Sequence, residues 1–131
     1  MQNKIIIKSS AEWMKQARYD FDTAQAMFES GRYIYAVFMS HIAVEKAIKG
    51  IFAQRRQEVP PKSHDLIYLS NKIELKLPDE YQTFVDKLND LSVPTRYPDE
   101  LDKLLGQYDK LRVSEILIKT KEVLTWLMAQ L

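Results

Sequence analysis

The sequence is poor in the residues that build disulfides, tight turns and multi-histidine metal sites. Its 131 residues include no cysteine, three glycines, five prolines and two histidines. Without cysteine the chain has no disulfide framework, no thiolate metal site and no cysteine nucleophile. So few glycines and prolines argue against an all-β fold and against a glycine-rich phosphate loop. A metal site built on His41 and His64 would need carboxylates, and we expect neither a metal nor a cofactor.

The sequence also lacks a strong net charge and a long hydrophobic run. The formal net charge of +1 does not imply nucleic acid, a membrane or an acidic partner. No apolar run approaches the roughly 20 residues of a membrane span. The beginning of the chain is too short and too polar for a secretory signal, so we expect a cytoplasmic protein with no membrane contact. The length predicts one domain over residues 1–131, with residues 1–8 as an N-terminal extension.

Apolar residues recur every three to four positions through most of the chain, which predicts an all-α fold. The capping-box spacing of Ser9 and Glu12 predicts a first helix from about residue 10, and Gly31 suits its end. A second helix is predicted over about 32–56. Because apolar residues surround most of its circumference, we expect this helix to be the central, most buried one.

Prolines and capping residues divide the second half of the chain. Ser63 or His64 is predicted to cap a short third helix. A fourth helix is predicted from Pro78 to Pro94, where the missing N–H should end it, and a last helix over about 113–128. The pattern therefore predicts an antiparallel up-down bundle of four main helices plus a short helix.

Residues 94–112 are the least regular part, and we predict a long connection with at most a short helix at 100–105. Prolines at 94 and 98 stiffen the stretch that carries Arg96 and Tyr97. A stiff loop presenting these two side chains can bind a phosphate and stack a base. A solvated loop arginine is the alternative interpretation.

The predicted central helix carries a polar stripe inside an apolar frame. His41, Glu45 and Lys49 are spaced four residues apart and line one side over two turns. One interpretation is a helix-stabilising Glu45–Lys49 pair beside a hydrogen-bonded core histidine. The other is a polar cleft that holds a ligand or a residue of a partner. His64 and Asp65 likewise suit either a helix cap or a proton-carrying, anion-contacting site.

The run FMSHIAVEKAIK, residues 38–49, resembles the central helix of HEPN domains (higher eukaryote and prokaryote nucleotide-binding domains). In that family an aromatic and a polar residue precede Ala-x-Glu-Lys-Ala-aliphatic-Lys. The companion features follow in the family's order. They are an opening helix with Trp13, a segment 63–66 after the central helix, and a segment 95–98 before the final helix.

The resemblance implies a small helical bundle that dimerises and is often encoded beside a minimal nucleotidyltransferase in a toxin–antitoxin-like pair. It also implies nucleotide or RNA as ligand. The apolar surplus of the central helix and Trp126 independently suggest a homodimer. The family-like positions carried over are Glu45, Lys46, Lys49, His64, Asp65, Arg96 and Tyr97, to which the polar stripe adds His41.

The resemblance also implies that many members of the wider group are metal-independent endoribonucleases, an activity associated with an arginine and a histidine that have four to six residues between them. Here eight residues lie between Arg32 and His41, and eight and seven residues lie between His64 and the preceding Arg55 and Arg56. No arginine stands at the required distance. We therefore expect a non-catalytic binding module, with an endoribonuclease and a purely structural dimerisation module as the alternatives.

Overall fold

The computed structural model describes residues 6–131, and this part of the chain is helical with no strand. Four long helices form the bundle, and two short helices lie between them. In chain order they are α1 (Ser10–Glu29), α2 (Tyr33–Arg56), α3 (Leu66–Lys72), α4 (Asp79–Arg96), α5 (Leu101–Gln107) and α6 (Lys110–Met128). The predicted all-α helical bundle is confirmed. None of the helices in this part is long and apolar enough to cross a membrane.

The predicted N-terminal extension is only partly within the described residues. Residues 1–5 lie outside them, and residues 6–8 are exposed and non-helical. The first helix begins as predicted, because the Ser9 hydroxyl oxygen accepts a hydrogen bond from the Glu12 N–H at 3.1 Å. Gly31, with φ +80°, makes the left-handed turn that leads into α2.

Helix α2 is the central helix, since it contacts all five of the other helices. Val44, Ile48 and Ile51 are fully buried on it. The apolar surplus of α2 is therefore covered within one chain, and Trp126 packs half-buried against the same core. Most of the apolar surplus of α2 is thus used inside one chain, although Tyr35 on the same helix is exposed. Dimerisation itself stays a prediction.

One close approach allows α1 to lie tightly on α2. A Cβ atom placed on Gly50 would meet the Trp13 Cβ at 3.1 Å and the Met14 Cε at 3.2 Å. The missing side chain at this position therefore brings the beginning of α1 close to the stretch of α2 that carries Glu45 and Lys49.

The prediction that Pro94 ends the fourth helix is wrong, because α4 continues to Arg96. Pro94 lies in the last turn, where its missing N–H costs a single bond. The turn is closed by other groups. The Thr95 hydroxyl lies 3.0 Å from the carbonyl oxygens of both Leu91 and Ser92, and the Tyr97 N–H donates to the Val93 carbonyl. Arg96 is therefore held on a helix and not on a stiff loop.

Three further boundaries differ from the prediction. Asp65, and not Ser63 or His64, caps α3 by accepting hydrogen bonds from two backbone N–H groups. Helix α6 begins at Lys110 and not near 113, because the Asp109 carboxylate accepts the Arg112 N–H at 2.8 Å. The predicted long connection contains α5, which is longer than the expected 100–105 helix.

Candidate functional site

Glu45, in the middle of α2, is the centre of a buried polar arrangement. Its side chain is only 6% exposed. Its Oε2 accepts a hydrogen bond from Lys49 Nζ at 3.0 Å, and its Oε1 lies 3.0 Å from His64 Nδ1. One carboxylate therefore joins α2 to the segment that precedes α3. The Glu45–Lys49 pair forms as the four-residue spacing indicates.

The His64 imidazole bridges the buried carboxylate and the solvent, with 61% of its side chain exposed. A carboxylate oxygen only accepts hydrogen bonds, so in neutral His64 the proton of the Glu45 contact resides on Nδ1. The other nitrogen, Nε2, then carries a lone pair at the surface. This is an oriented imidazole that can accept a hydrogen bond or a proton.

His41 lies one turn before Glu45 and is completely buried. Its Nδ1 is 4.0 Å from Glu45 Oε1, and within the described residues neither ring nitrogen makes a well-aligned hydrogen bond, although the Asn89 side chain is close enough to interact with the ring. Burial lowers the pKa of His41 below its ordinary value of 6.5, and the charges of Arg96 and His64 lower this pKa further. The Glu45 carboxylate and hydrogen bonding by the Asn89 side chain raise it in part. His41 is therefore a core histidine that is neutral at neutral pH.

This lowered pKa predicts acid sensitivity. The unfolded chain takes up a proton at His41 near pH 6.5, whereas the folded chain does so only at lower pH. Stability is thus fully present above that pH and is lost as the pH falls toward the folded-state pKa. We expect the free energy of unfolding in urea to fall less from about pH 7.5 to about pH 5.5 in His41→Leu than in the unmodified chain. Equal slopes for His41→Leu and the unmodified chain would contradict the prediction.

Helix α4 brings Arg96 to the same region. The Arg96 guanidinium lies on the Phe38 ring of α2, with Cζ 4.7 Å from the ring centroid. Its Nε and Nη2 are buried and have no hydrogen-bond partner among residues 6–131. Arg96 is also close enough to lower the pKa of His41. The guanidinium therefore lies between α2 and α4 with one donor edge unsatisfied.

Five of the candidates thus meet between α2, α3 and α4. We call His41, Glu45, Lys49, His64 and Arg96 the polar cluster. Two permanent cations and one carboxylate give it a positive charge when both histidines are neutral. In residues 6–131 no three carboxylate or imidazole side chains converge as a metal site.

The other three candidates lie outside the polar cluster. Lys46 turns toward α1, where its Nζ is 2.7 Å from Asp20 Oδ2. Asp65 has the structural role of capping α3. Tyr97, 76% exposed, lines a surface groove of about 630 Å³ between α4 and α5. The ion pair with Asp20 accounts for Lys46, and the capping of α3 accounts for Asp65. Tyr97 is available at the surface immediately after Arg96.

Asn89, which was not predicted from the sequence, organises the wall of the polar cluster. Its Oδ1 accepts the Leu66 N–H at 2.9 Å, and its amide nitrogen donates to Asp65 Oδ1 at 3.2 Å. It also affects the pKa of His41. The available signal was its position seven residues before Arg96, on the same face of α4. The apolar periodicity of that helix does not reveal this polar position.

The comparisons with known proteins agree with this fold. The HEPN domain family model matches residues 10–130. Two crystal structures are similar over almost all of both chains at 26% identity. TT1696 from Thermus thermophilus has a TM-score of 0.78, with 93% of this chain and 98% of that chain covered. ST0689, an archaeal HEPN homologue, has a TM-score of 0.74, with 95% and 98% covered.

No curated protein sequence matches the chain. The family match covers nearly its whole length, and it agrees with the helical bundle and with the FMSHIAVEKAIK run on α2. This chain belongs to the HEPN domain family.

Proposed function

We propose that this chain is a non-catalytic HEPN-type binding module that binds nucleotide at the polar cluster. In this proposal it works as a homodimer with a minimal nucleotidyltransferase partner in a toxin–antitoxin-like system. Family membership supports the class of function. The observation that supports a nucleotide ligand is the donor edge of Arg96, which is buried without an acceptor among the described residues.

The chemistry of that edge favours a phosphate. The N–H groups at Nε and Nη2 run parallel along one side of the guanidinium, and they match two oxygens of a phosphate or carboxylate. A buried donor without a partner costs about 1–3 kcal/mol. A phosphate that accepts both bonds would remove this penalty.

The surroundings of Arg96 suit the rest of a nucleotide. The positive charge of the polar cluster favours an anion. The exposed imidazole of His64 offers a polar contact, and the Tyr97 ring that directly follows Arg96 offers a stacking surface for a base. Lys49 contributes less, because Glu45 already neutralises it at 3.0 Å.

Titration calorimetry with ATP tests the ligand. We expect the unmodified chain to bind ATP and Arg96→Ala to bind it about 10- to 100-fold more weakly, the size of a lost charge-assisted hydrogen bond or two. Arg112→Ala is the matched control. Arg112 also stacks on an aromatic ring, with Cζ 4.5 Å from the Tyr108 centroid, but it lies on α6. Its replacement should leave the affinity unchanged.

Two results would count against the proposal. If ATP and other nucleotides at millimolar concentration give no heat of binding, both with and without the partner, nucleotide binding is refuted. The partner is tested by co-expression with the product of the neighbouring reading frame. We expect this product to be a small nucleotidyltransferase that copurifies with the chain. An unrelated product that does not copurify would refute the proposed partner.

One contact favours an endoribonuclease as the second candidate. The 3.0 Å contact between Glu45 Oε1 and His64 Nδ1 orients Nε2 toward solvent, where it can act as a general base. Our proposal predicts that RNA stays intact at high protein concentration. Cleavage that is lost in His64→Ala and retained in the exposed-site control Arg112→Ala would replace it with the second candidate.

A further inference from the structure

We infer that Asn89 is a positioning residue of the polar cluster, which holds the segment before α3 so that the His64 Nδ1–H points at Glu45. The His64 Nε2 then stays at the surface, where the ligand of the proposed function meets it. The inference rests on the proposed function only for that ligand. The orientation of His64 is a property of the free chain and can be measured without any nucleotide.

The first turn of α3 depends on two side chains, one of which comes from α4. The Leu66 N–H donates to Asn89 Oδ1 of α4 at 2.9 Å. The next two N–H groups of α3 donate to Asp65 Oδ1 at 3.0 and 3.1 Å. The first N–H groups of a helix have no partner inside it, so each needs an acceptor of this kind. A helix of seven residues is too short to be stable alone, and outside contacts therefore set its position.

Asn89 joins these contacts into one network. Its amide nitrogen donates to Asp65 Oδ1 at 3.2 Å, the same oxygen that caps α3. Asn89 thus holds both residues that directly follow His64, one by its side chain and the other by its backbone. Two fixed residues restrict the backbone at position 64, from which the His64 ring reaches Glu45 Oε1 at 3.0 Å. Because hydrogen bonds are directional, they fix this orientation in a way that the apolar packing of α3 does not.

The same side chain also faces the buried histidine of the polar cluster. Burial lowers the pKa of His41, and hydrogen bonding by the Asn89 side chain raises it in part. Asn89 therefore acts on the surroundings of both histidines from α4, seven residues before Arg96 and on the same face. The support of His64 and the donor edge of Arg96 thus belong to one rigid helix.

The tautomer of His64 tests the inference, read from ring-nitrogen NMR spectra at about pH 8, above the ordinary histidine pKa. We expect the ring proton of the unmodified chain to reside on Nδ1. Asn89→Asp keeps an acceptor for the Leu66 N–H, but it replaces the donor to Asp65 by a second carboxylate, and the two negative charges repel each other. We expect this variant to hold His64 in a mixture of both tautomers. It should also bind ATP about 2- to 10-fold more weakly, the size of one neutral hydrogen bond.

An exchange of the two side chains should restore the network without changing the net charge. In Asn89→Asp with Asp65→Asn, the carboxylate still accepts the Leu66 N–H. The amide at position 65 can cap α3 through its oxygen and donate to the carboxylate through its nitrogen. We expect the exchange to return the His64 proton to Nδ1 and to recover the affinity for ATP.

Leu69→Ala is the control for a merely structural role. Leu69 is fully buried on α3, and its side chain takes no part in these hydrogen bonds. The variant should unfold at lower urea concentration and leave the tautomer of His64 unchanged. If Asn89→Asp does not fold, Asn89→Ala gives the same test, because it removes both hydrogen bonds without adding a charge.

The inference and the proposed function can fail separately. A His64 proton that stays on Nδ1 in Asn89→Asp or Asn89→Ala, or that resides on Nε2 in the unmodified chain, would overturn the inference even if ATP binds. An exchange variant that regains stability but not the tautomer would also overturn it, since Asn89 would then only cap α3. A tautomer that depends on Asn89 in a chain that never binds ATP would support the positioning role and refute the nucleotide.

Discussion

Replacing Glu45 with alanine should lower the free energy of unfolding by about 3–5 kcal/mol, because it leaves a buried cation without its partner. The Lys49 side chain is only 9% exposed, and Glu45 Oε2 at 3.0 Å neutralises it. The same change removes the contact that ties His64 to α2. Urea unfolding at neutral pH measures the effect.

Glu80→Ala is the matched control for this prediction. Glu80 also pairs with a lysine, Lys119, but the Glu80 side chain is 70% exposed, and pairs in contact with solvent contribute little to stability. We further expect the double variant Glu45→Gln with Lys49→Met to recover much of the loss, since no buried charge remains unpaired. Equal losses in Glu45→Ala and Glu80→Ala would contradict a buried pair.

The conservative variant Glu45→Gln also tests the purely structural alternative. If the polar cluster only holds the bundle together, this variant costs stability and leaves nucleotide and partner binding unchanged. A variant that stays as stable as the unmodified chain yet loses its ligand or partner would exclude that alternative.

The second large effect is expected at the central helix. Ile48 is fully buried on α2, and Ile48→Ala should cost about 2–5 kcal/mol through lost burial and the cavity that remains. Ile118→Ala on α6 makes the same chemical change at a position that is 62% exposed, and it should stay within about 0.5 kcal/mol. Urea unfolding of both variants measures the difference, and similar losses would contradict the central position of α2.

The central position of α2 was predictable from sequence because its pattern is local and strong. Apolar residues on all sides of one helix require neighbours on all sides, and α2 has them. The Glu45–Lys49 pair followed in the same way from a four-residue spacing. Both predictions rest on helix geometry alone.

The helix ends were less predictable because single polar atoms decide them. Pro94 reads as a stop, yet the Thr95 hydroxyl and the Tyr97 N–H complete the turn beyond it. Asp65 replaces the predicted caps of α3 because its carboxylate reaches two N–H groups. Propensity rules name several residues that could cap, and the backbone path selects one of them.

The site was only half predictable because its members come from different helices. His64 meets Glu45 across 19 positions of sequence, and this contact depends on how the chain returns from the end of α2 to α3. Asn89 contacts that same segment from α4. No periodicity encodes contacts between helices. A sequence therefore indicates which residues are polar in an apolar frame, but not which of them meet.

The most direct test of the polar cluster is an NMR titration that follows the histidine ring nitrogens as ATP is added. The structure predicts that His64 carries its proton on Nδ1 in the free protein and that His41 is neutral. ATP should then shift the signals of both rings with the dissociation constant found by calorimetry, and in Arg96→Ala the same shifts should need about 10- to 100-fold more ATP. Binding of ATP that leaves His41 and His64 unchanged would contradict a nucleotide site at the polar cluster.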